Sequence, residues 1–97
     1  MPRNIRVRPE AERDVEVAFA WYQEQRAGLG RELLQELDVV YQRIAKFPFI
    51  YAELYRGLRR VRVRRFPVGV FYLVRSQEIL VVAVVHAARS PRIWRSR

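Results

Sequence analysis

LRRVRVRRFPVGVFYLVRSQEILVVAVVH, residues 58–86, places five arginines in seven positions ahead of two stretches that are almost wholly apolar. Successive side chains on a strand point to opposite faces, so Arg60, Arg62 and Arg64 share one face while Val61 and Val63 take the other. Hairpin-length turns at Pro67-Val68-Gly69 and Ser76-Gln77-Glu78 divide the stretch into strands over residues 58–66, 70–75 and 79–86, which predicts an antiparallel meander. The last strand is apolar on both faces, as expected of a central one. The sheet thereby acquires a cationic surface. A guanidinium offers a fixed fork of donors matched to phosphate or carboxylate, so this surface calls for a polyanionic partner, either nucleic acid or an acidic protein segment.

Working outward, Ile5 and Val7 alternate with Arg6 and Arg8 in a short strand signal that stops at Pro9. Proline suits the first turn of a helix, and Glu10, Glu12 and Asp14 put negative charge at the positive end of its dipole. Ala11, Val15, Ala18, Phe19 and Tyr22 then follow helical spacing, and Gly28 with Gly30 supplies the stop, so a helix is predicted from about residue 9 to 27. Leu33, Leu37, Val40, Tyr41 and Ile44, flanked by Leu34, form a second stripe ended by Phe47-Pro48. Two amphipathic helices with a short Gly-containing link pack as an antiparallel hairpin. Residues 48–57 carry aromatics without periodicity and read as a loop, and the basic tail, residues 87–97, has room for a short helical turn. The expected fold is α+β: one domain over residues 1–97, in the order β-α-α-β-β-β, with a helical hairpin packed on a small antiparallel meander sheet.

Ninety-seven residues, 51% of them apolar, suffice for one core but not two. The formal net charge of +9 is unevenly placed. Residues 1–38 hold six arginines against eight acids, net −2, whereas residues 39–97 hold thirteen Arg/Lys against two acids, net +11. The absence of cysteine excludes disulfides and thiolate metal sites. A single histidine, His86, cannot build a His-rich metal centre, and no cofactor or metal is expected. The longest apolar run, Ile79 to Val85, has seven residues, against roughly 20 for a bilayer span. The basic N-terminal residues have no apolar stretch after them, so the expected location is the cytoplasm.

Three constellations could carry function. The arginine run, Arg59 to Arg65, contains no acid; such local repulsion is relieved by an anionic partner, although a solvated strand face is the plainer alternative. His86 with Arg89 sits where a strand leaves the sheet, and an imidazole among arginines could act as general acid or base on a phosphate; a lone histidine there can equally be structural. Trp94, between Arg92 and Arg95, either stacks on a partner's bases or packs the tail onto the domain. No Gly-rich phosphate loop, nucleophile elbow, paired carboxylates or zinc spacing occurs, which disfavours the ordinary enzyme classes.

RPEAERDVEVAFAWY at the first helix, RIAKFP closing the second, GLRRVRVRRFPVGVFYLV through the hairpin and VVHAARSPRIW at the end, in this order and spacing, resemble the RelE/ParE family of bacterial type II toxins, the ParE-like branch most closely. The resemblance implies a RelE-like fold and a toxin encoded beside an antitoxin. The antitoxin's acidic C-terminal segment would wrap the toxin in a hetero-oligomeric complex, in systems associated with plasmid stabilisation. ParE-like members poison DNA gyrase by binding. RelE-like members cleave mRNA on the ribosome with basic strand residues, and onto that pattern Arg60 and Arg62 match as the strand pair and Arg89 as the arginine near the last strand's end, and His86 could stand in as base. The second-strand position falls instead near Gly69 or Val70, and the C-terminal aromatic is Trp94, which cannot transfer a proton as tyrosine could. These departures favour gyrase inhibition, with Arg60, Arg62, Arg64, Arg89 and Trp94 as candidate binding residues for antitoxin or nucleic acid, and ribosome-dependent cleavage by Arg60, Arg62, His86 and Arg89 as the alternative.

Overall fold

A computed structural model of the chain describes residues 2–86 and 91–97. The elements run β1 (Asn4–Val7), α1 (Pro9–Gln25), α2 (Leu29–Lys46), β2 (Glu53–Tyr55), β3 (Leu58–Arg62), β4 (Val68–Val74), β5 (Glu78–His86) and α3 (Pro91–Arg95). The five strands form one sheet in the order β1-β5-β4-β3-β2. The expected meander is present as β3-β4-β5, antiparallel throughout. β1 adds to it in parallel on the far side of β5, Val7 beside Val81, so β5 is a central strand.

Pro9 opens α1 with Glu10 and Glu12 in its first turn, and Gly28, at φ +91°, makes the reversal into α2. Gly30 lets the two helices close: a Cβ there would lie 2.7 Å from the Phe19 carbonyl oxygen. The Gln23 side chain accepts from the N–H groups of Gly28 and Gly30, satisfying donors that a helix start otherwise leaves open. On α2 the buried stripe is Leu33, Leu37, Val40 and Ile44. At about 1.5–3 kcal/mol per buried aliphatic side chain, this stripe fastens α2 to the sheet, as Ala11 with Val15, Ala18 and Tyr22 fastens α1. It meets Val61, Val63, Val70, Tyr72, Ile79, Val81 and Val84 in one core.

Beyond the expected order, residues 53–55 pair with β3 as β2, an element the loop assignment of residues 48–57 omitted. The turn between them is a two-residue hairpin whose central residues, Arg56 (φ 46°) and Gly57 (φ 83°), are both left-handed, the type I′ requirement. The predicted first meander strand also ends four residues early. Its ladder stops at Arg62 opposite Gly69, because Arg65 turns left-handed at φ 71° and the Val63 N–H bonds to the Val68 carbonyl. Arg64 therefore lies in the hairpin turn, not on the strand face with Arg60 and Arg62.

A second apolar cluster fills the opposite face of the sheet. A bulge between β4 and β5, where Phe71 pairs with Ala83 but Tyr72 with Val81, turns Val82 and Ala83 to the same side. These join Leu58, Phe71, Leu80 and Val85 under the short α3, whose Trp94 stacks on Phe71 at 5.0 Å between ring centroids. β5 is apolar on both faces because both faces are covered. Among the described residues no helix is long and apolar enough to cross a membrane.

Candidate partner-binding surfaces

The alternation of β3 sorts its arginines by face. Arg59, opposite Tyr72, turns to the helix side, donates to the Tyr51 carbonyl at 2.6 Å and lies over the Phe49 ring. Arg65 reaches Glu32 at 2.8 Å and Glu36 at 3.9 Å. This contact, with help from Arg26, holds the Glu32 carboxyl below the usual range. Two of the five clustered arginines are thus structural, and the run is not without acids once folded.

Arg60 and Arg62 point the other way, opposite Phe71 and Gly69, and both are exposed. The absent side chain of Gly69 is what lets the Arg60 stem lie flat: a Cβ there would come within 3.3 Å of its Cδ. Neither arginine, nor Arg64, forms an ion pair with a described residue. Around α3 the same face carries Arg56 and Arg95, stacked over the Tyr55 ring at 5.2 and 4.7 Å. Glu78 is bridged to Arg6 at 3.0 Å. The cationic sheet face expected from the sequence therefore exists, narrower in β3 and extended by the tail.

His86 does not join it. In the β4–β5 ladder His86 stands opposite Val68, a helix-side residue, and it lines a groove with Arg13, Asp14, Val17 and Trp21 of α1. The thickness of the sheet separates it from Arg60 and Arg62. Arg89, the remaining member of both candidate sets, lies outside the described residues. Trp94 is buried beneath the tail, 6% exposed, so it packs α3 and presents no stacking surface. Among the described residues no cluster of three metal-ligating side chains forms.

The groove beside His86 is a feature the sequence did not announce. It encloses about 580 Å³ between α1 and the ends of β4 and β5, floored by Ala18, Tyr22, Val68 and Val84. Val17 and Trp21, one turn apart, stand 67% and 55% exposed at its lip. A sequence signal existed: Val17 and Trp21 fall off the Ala11–Val15–Ala18–Tyr22 stripe, and apolar residues outside a stripe need a second neighbour.

At one end of the groove, Asp14 closes the edge of β5 where β1 has stopped. Its carboxylate accepts the Val84 N–H at 3.0 Å and the Arg97 guanidinium at both oxygens. Arg97 in turn donates to the Val82 carbonyl, and its own carbonyl accepts from Arg8. Side chains thus replace the hydrogen bonds of a missing strand, and they fasten the tail across the sheet.

A family model for the ParE toxin of the type II toxin–antitoxin system parDE matches residues 5–91. Among solved structures the chain is similar to one from the chromosomal ParDE system of P. aeruginosa, with a TM-score of 0.76 at 14% identity over 87% of this chain and 95% of that one. It is also similar to one from the RelBE2 toxin–antitoxin complex of Mycobacterium tuberculosis, with a TM-score of 0.63 at 17% identity over 89% and 99%. At these identities the likeness is one of fold. No curated protein sequence matches the chain.

Proposed function

We propose, from the premise that this chain belongs to the ParE toxin family of type II toxin–antitoxin systems, that it arrests growth by binding DNA gyrase, and that its antitoxin silences it with an acidic C-terminal segment laid over the cationic sheet face. The observation that carries binding over cleavage is the placement of His86: a ribonuclease built from Arg60, Arg62 and His86 needs the three around one phosphate, and here the sheet lies between them. Antitoxin capture draws support from Arg60 and Arg62, exposed and without acidic neighbours, and from the apolar groove on the other face at the same end of the sheet. A disordered acidic segment gains affinity from both as it orders. The complex is then hetero-oligomeric, and the free toxin acts in the cytoplasm, where gyrase works.

The test is a supercoiling assay. Purified toxin added to gyrase, ATP and relaxed plasmid should stop supercoiling at the concentrations that stop growth, and the antitoxin should restore it. Normal supercoiling at those concentrations would sink the gyrase reading, and mRNA cut at A-site codons in a programmed ribosome assay would replace it with cleavage.

A further inference from the structure

The loop after α2 presents Phe47, Phe49 and Ile50 to solvent, 50%, 60% and 58% exposed. Three large apolar side chains on one tight turn are unlike the scattered apolar residues of an ordinary surface. The turn is also held still. The buried Tyr72 hydroxyl donates to the Pro48 carbonyl at 2.8 Å, Arg59 donates to the Tyr51 carbonyl, and the Phe47 N–H caps α2 through the Arg43 carbonyl at 2.8 Å. Cations surround it: the guanidinium groups of Arg3 and Arg59 lie 5.5 and 5.1 Å from the Phe49 ring centre, and the Lys46 ammonium lies 5.5 Å from that of Phe47. Glu53, opposite Arg59 in the ladder, is the acid beside them.

We propose that this knuckle is the surface by which the toxin docks on its target protein, inserting Phe49 and Ile50 into an apolar recess bordered by acidic side chains. The target is gyrase if the preceding section is right, and the identification of the partner rests on that reading. Two features select a folded target over the antitoxin. The knuckle is convex and preorganised, which fits a preformed recess and loses little entropy on binding, whereas a segment that orders on binding needs a concave track such as the α1 groove. It also sits where β1 and β5 begin, at the end of the sheet away from the groove and His86, so the two surfaces serve two partners. The ring of Arg3, Lys46 and Arg59 sets the complementary charge as negative.

The double variant Phe49→Ser, Ile50→Ser tests this, since neither side chain is buried. The expected result is unchanged affinity for co-expressed antitoxin, within about twofold, with at least roughly tenfold more toxin needed for growth arrest, as for loss of a central apolar anchor. Growth arrest is scored independently of the supercoiling assay, so a wild-type toxin that spares gyrase refutes the gyrase reading alone. Undiminished growth arrest by the variant refutes the knuckle. So does loss of antitoxin binding, which hands the surface to the antitoxin. Binding of the wild type but not the variant to phosphatidylglycerol vesicles, or a wild-type dimer lost in the variant, would equally overturn it. For the charge of the recess, Ile50→Asp should impair arrest more than Ile50→Lys, and the reverse order rules out an acidic border.

Discussion

Asp14 is expected to contribute more to stability than any other exposed-looking acid of the chain, and Asp14→Ala measures it. The carboxylate is 14% exposed and its Arg97 partner 20%, so little water replaces either. Truncation removes a two-pronged charge-assisted contact, about 1.5–3 kcal/mol, and strands the Val84 N–H, about 1–3 kcal/mol. Partial hydration of the vacated site returns some of this, leaving an expected loss of ~3 kcal/mol. For a domain of this size each kcal/mol shifts Tm by about 4–8 °C, so the melt should fall by ~12–24 °C. Urea unfolding followed by far-UV circular dichroism gives the free energy, and a double-mutant cycle with Arg97→Ala isolates the pair, with an expected coupling of ~1.5–2 kcal/mol. Asp14→Asn keeps an acceptor for Val84 and should lose roughly half as much. A loss below ~1 kcal/mol for Asp14→Ala, or a coupling below ~0.5 kcal/mol, would show that the tail is not fastened there and that the β5 edge does not depend on this carboxylate.

Gly30→Ala should lower stability by roughly 2–3 kcal/mol in the same assay, since the added Cβ meets the Phe19 carbonyl oxygen at 2.7 Å and overpacking of this kind forces backbone shifts. Burial pushes the Tyr72 phenol up to about 12 from its ordinary 10; its neutral form is favoured in the fold, so its stabilisation is complete below pH 10 and is lost as pH rises toward 12. Tyr72→Phe should flatten that alkaline decline in pH-dependent urea melts and cost about 1 kcal/mol at neutral pH through the lost bond to Pro48. Arg60→Ala and Arg62→Ala should each weaken antitoxin binding, more at low than at high salt, because exposed charges are screened over about 10 Å at 0.1 M; titration calorimetry at two ionic strengths measures this, and equal affinity for wild type and variants would place the interface elsewhere.

The helical hairpin and the meander were legible because their signals are periodic and local: Leu33, Leu37, Val40 and Ile44 repeat at helical spacing, and β4 and β5 are apolar runs between turns. β2 was not. It has three residues, Glu53 to Tyr55, and its turn uses Arg56 at φ 46°, where Asn or Asp is the recognisable choice. Asp14 read as a first-turn acid answering the helix dipole; its bonds to Val84 and Arg97 span 70 and 83 positions of sequence, which no local pattern reports. The knuckle read as a loop because its aromatics lack periodicity. That aperiodicity, in residues too apolar to be left in water without reason, was itself the available signal.

The early end of β3 is the most consequential difference between the sequence reading and the fold, since it takes Arg64 off the face it was expected to share with Arg60 and Arg62. Along β3 the odd positions face the helices and the even ones face away, so Arg59 meets the Tyr51 carbonyl while Arg60 and Arg62 meet water. Arg65 would also face inward if the strand continued; a buried unpaired guanidinium costs several kcal/mol, and the chain avoids it by turning left-handed there, at about 1–3 kcal/mol of backbone strain, and handing Arg65 to Glu32 and Glu36. The turn that ends the ladder and the ion pair that joins hairpin to α2 thus have one cause. It follows that the partner of the cationic face meets two arginines from β3 rather than the three expected, with the rest of its positive charge coming from Arg56 and Arg95 beside α3. Any agent that lifts α3 off Phe71 therefore removes part of that surface as well as exposing the apolar cluster beneath it.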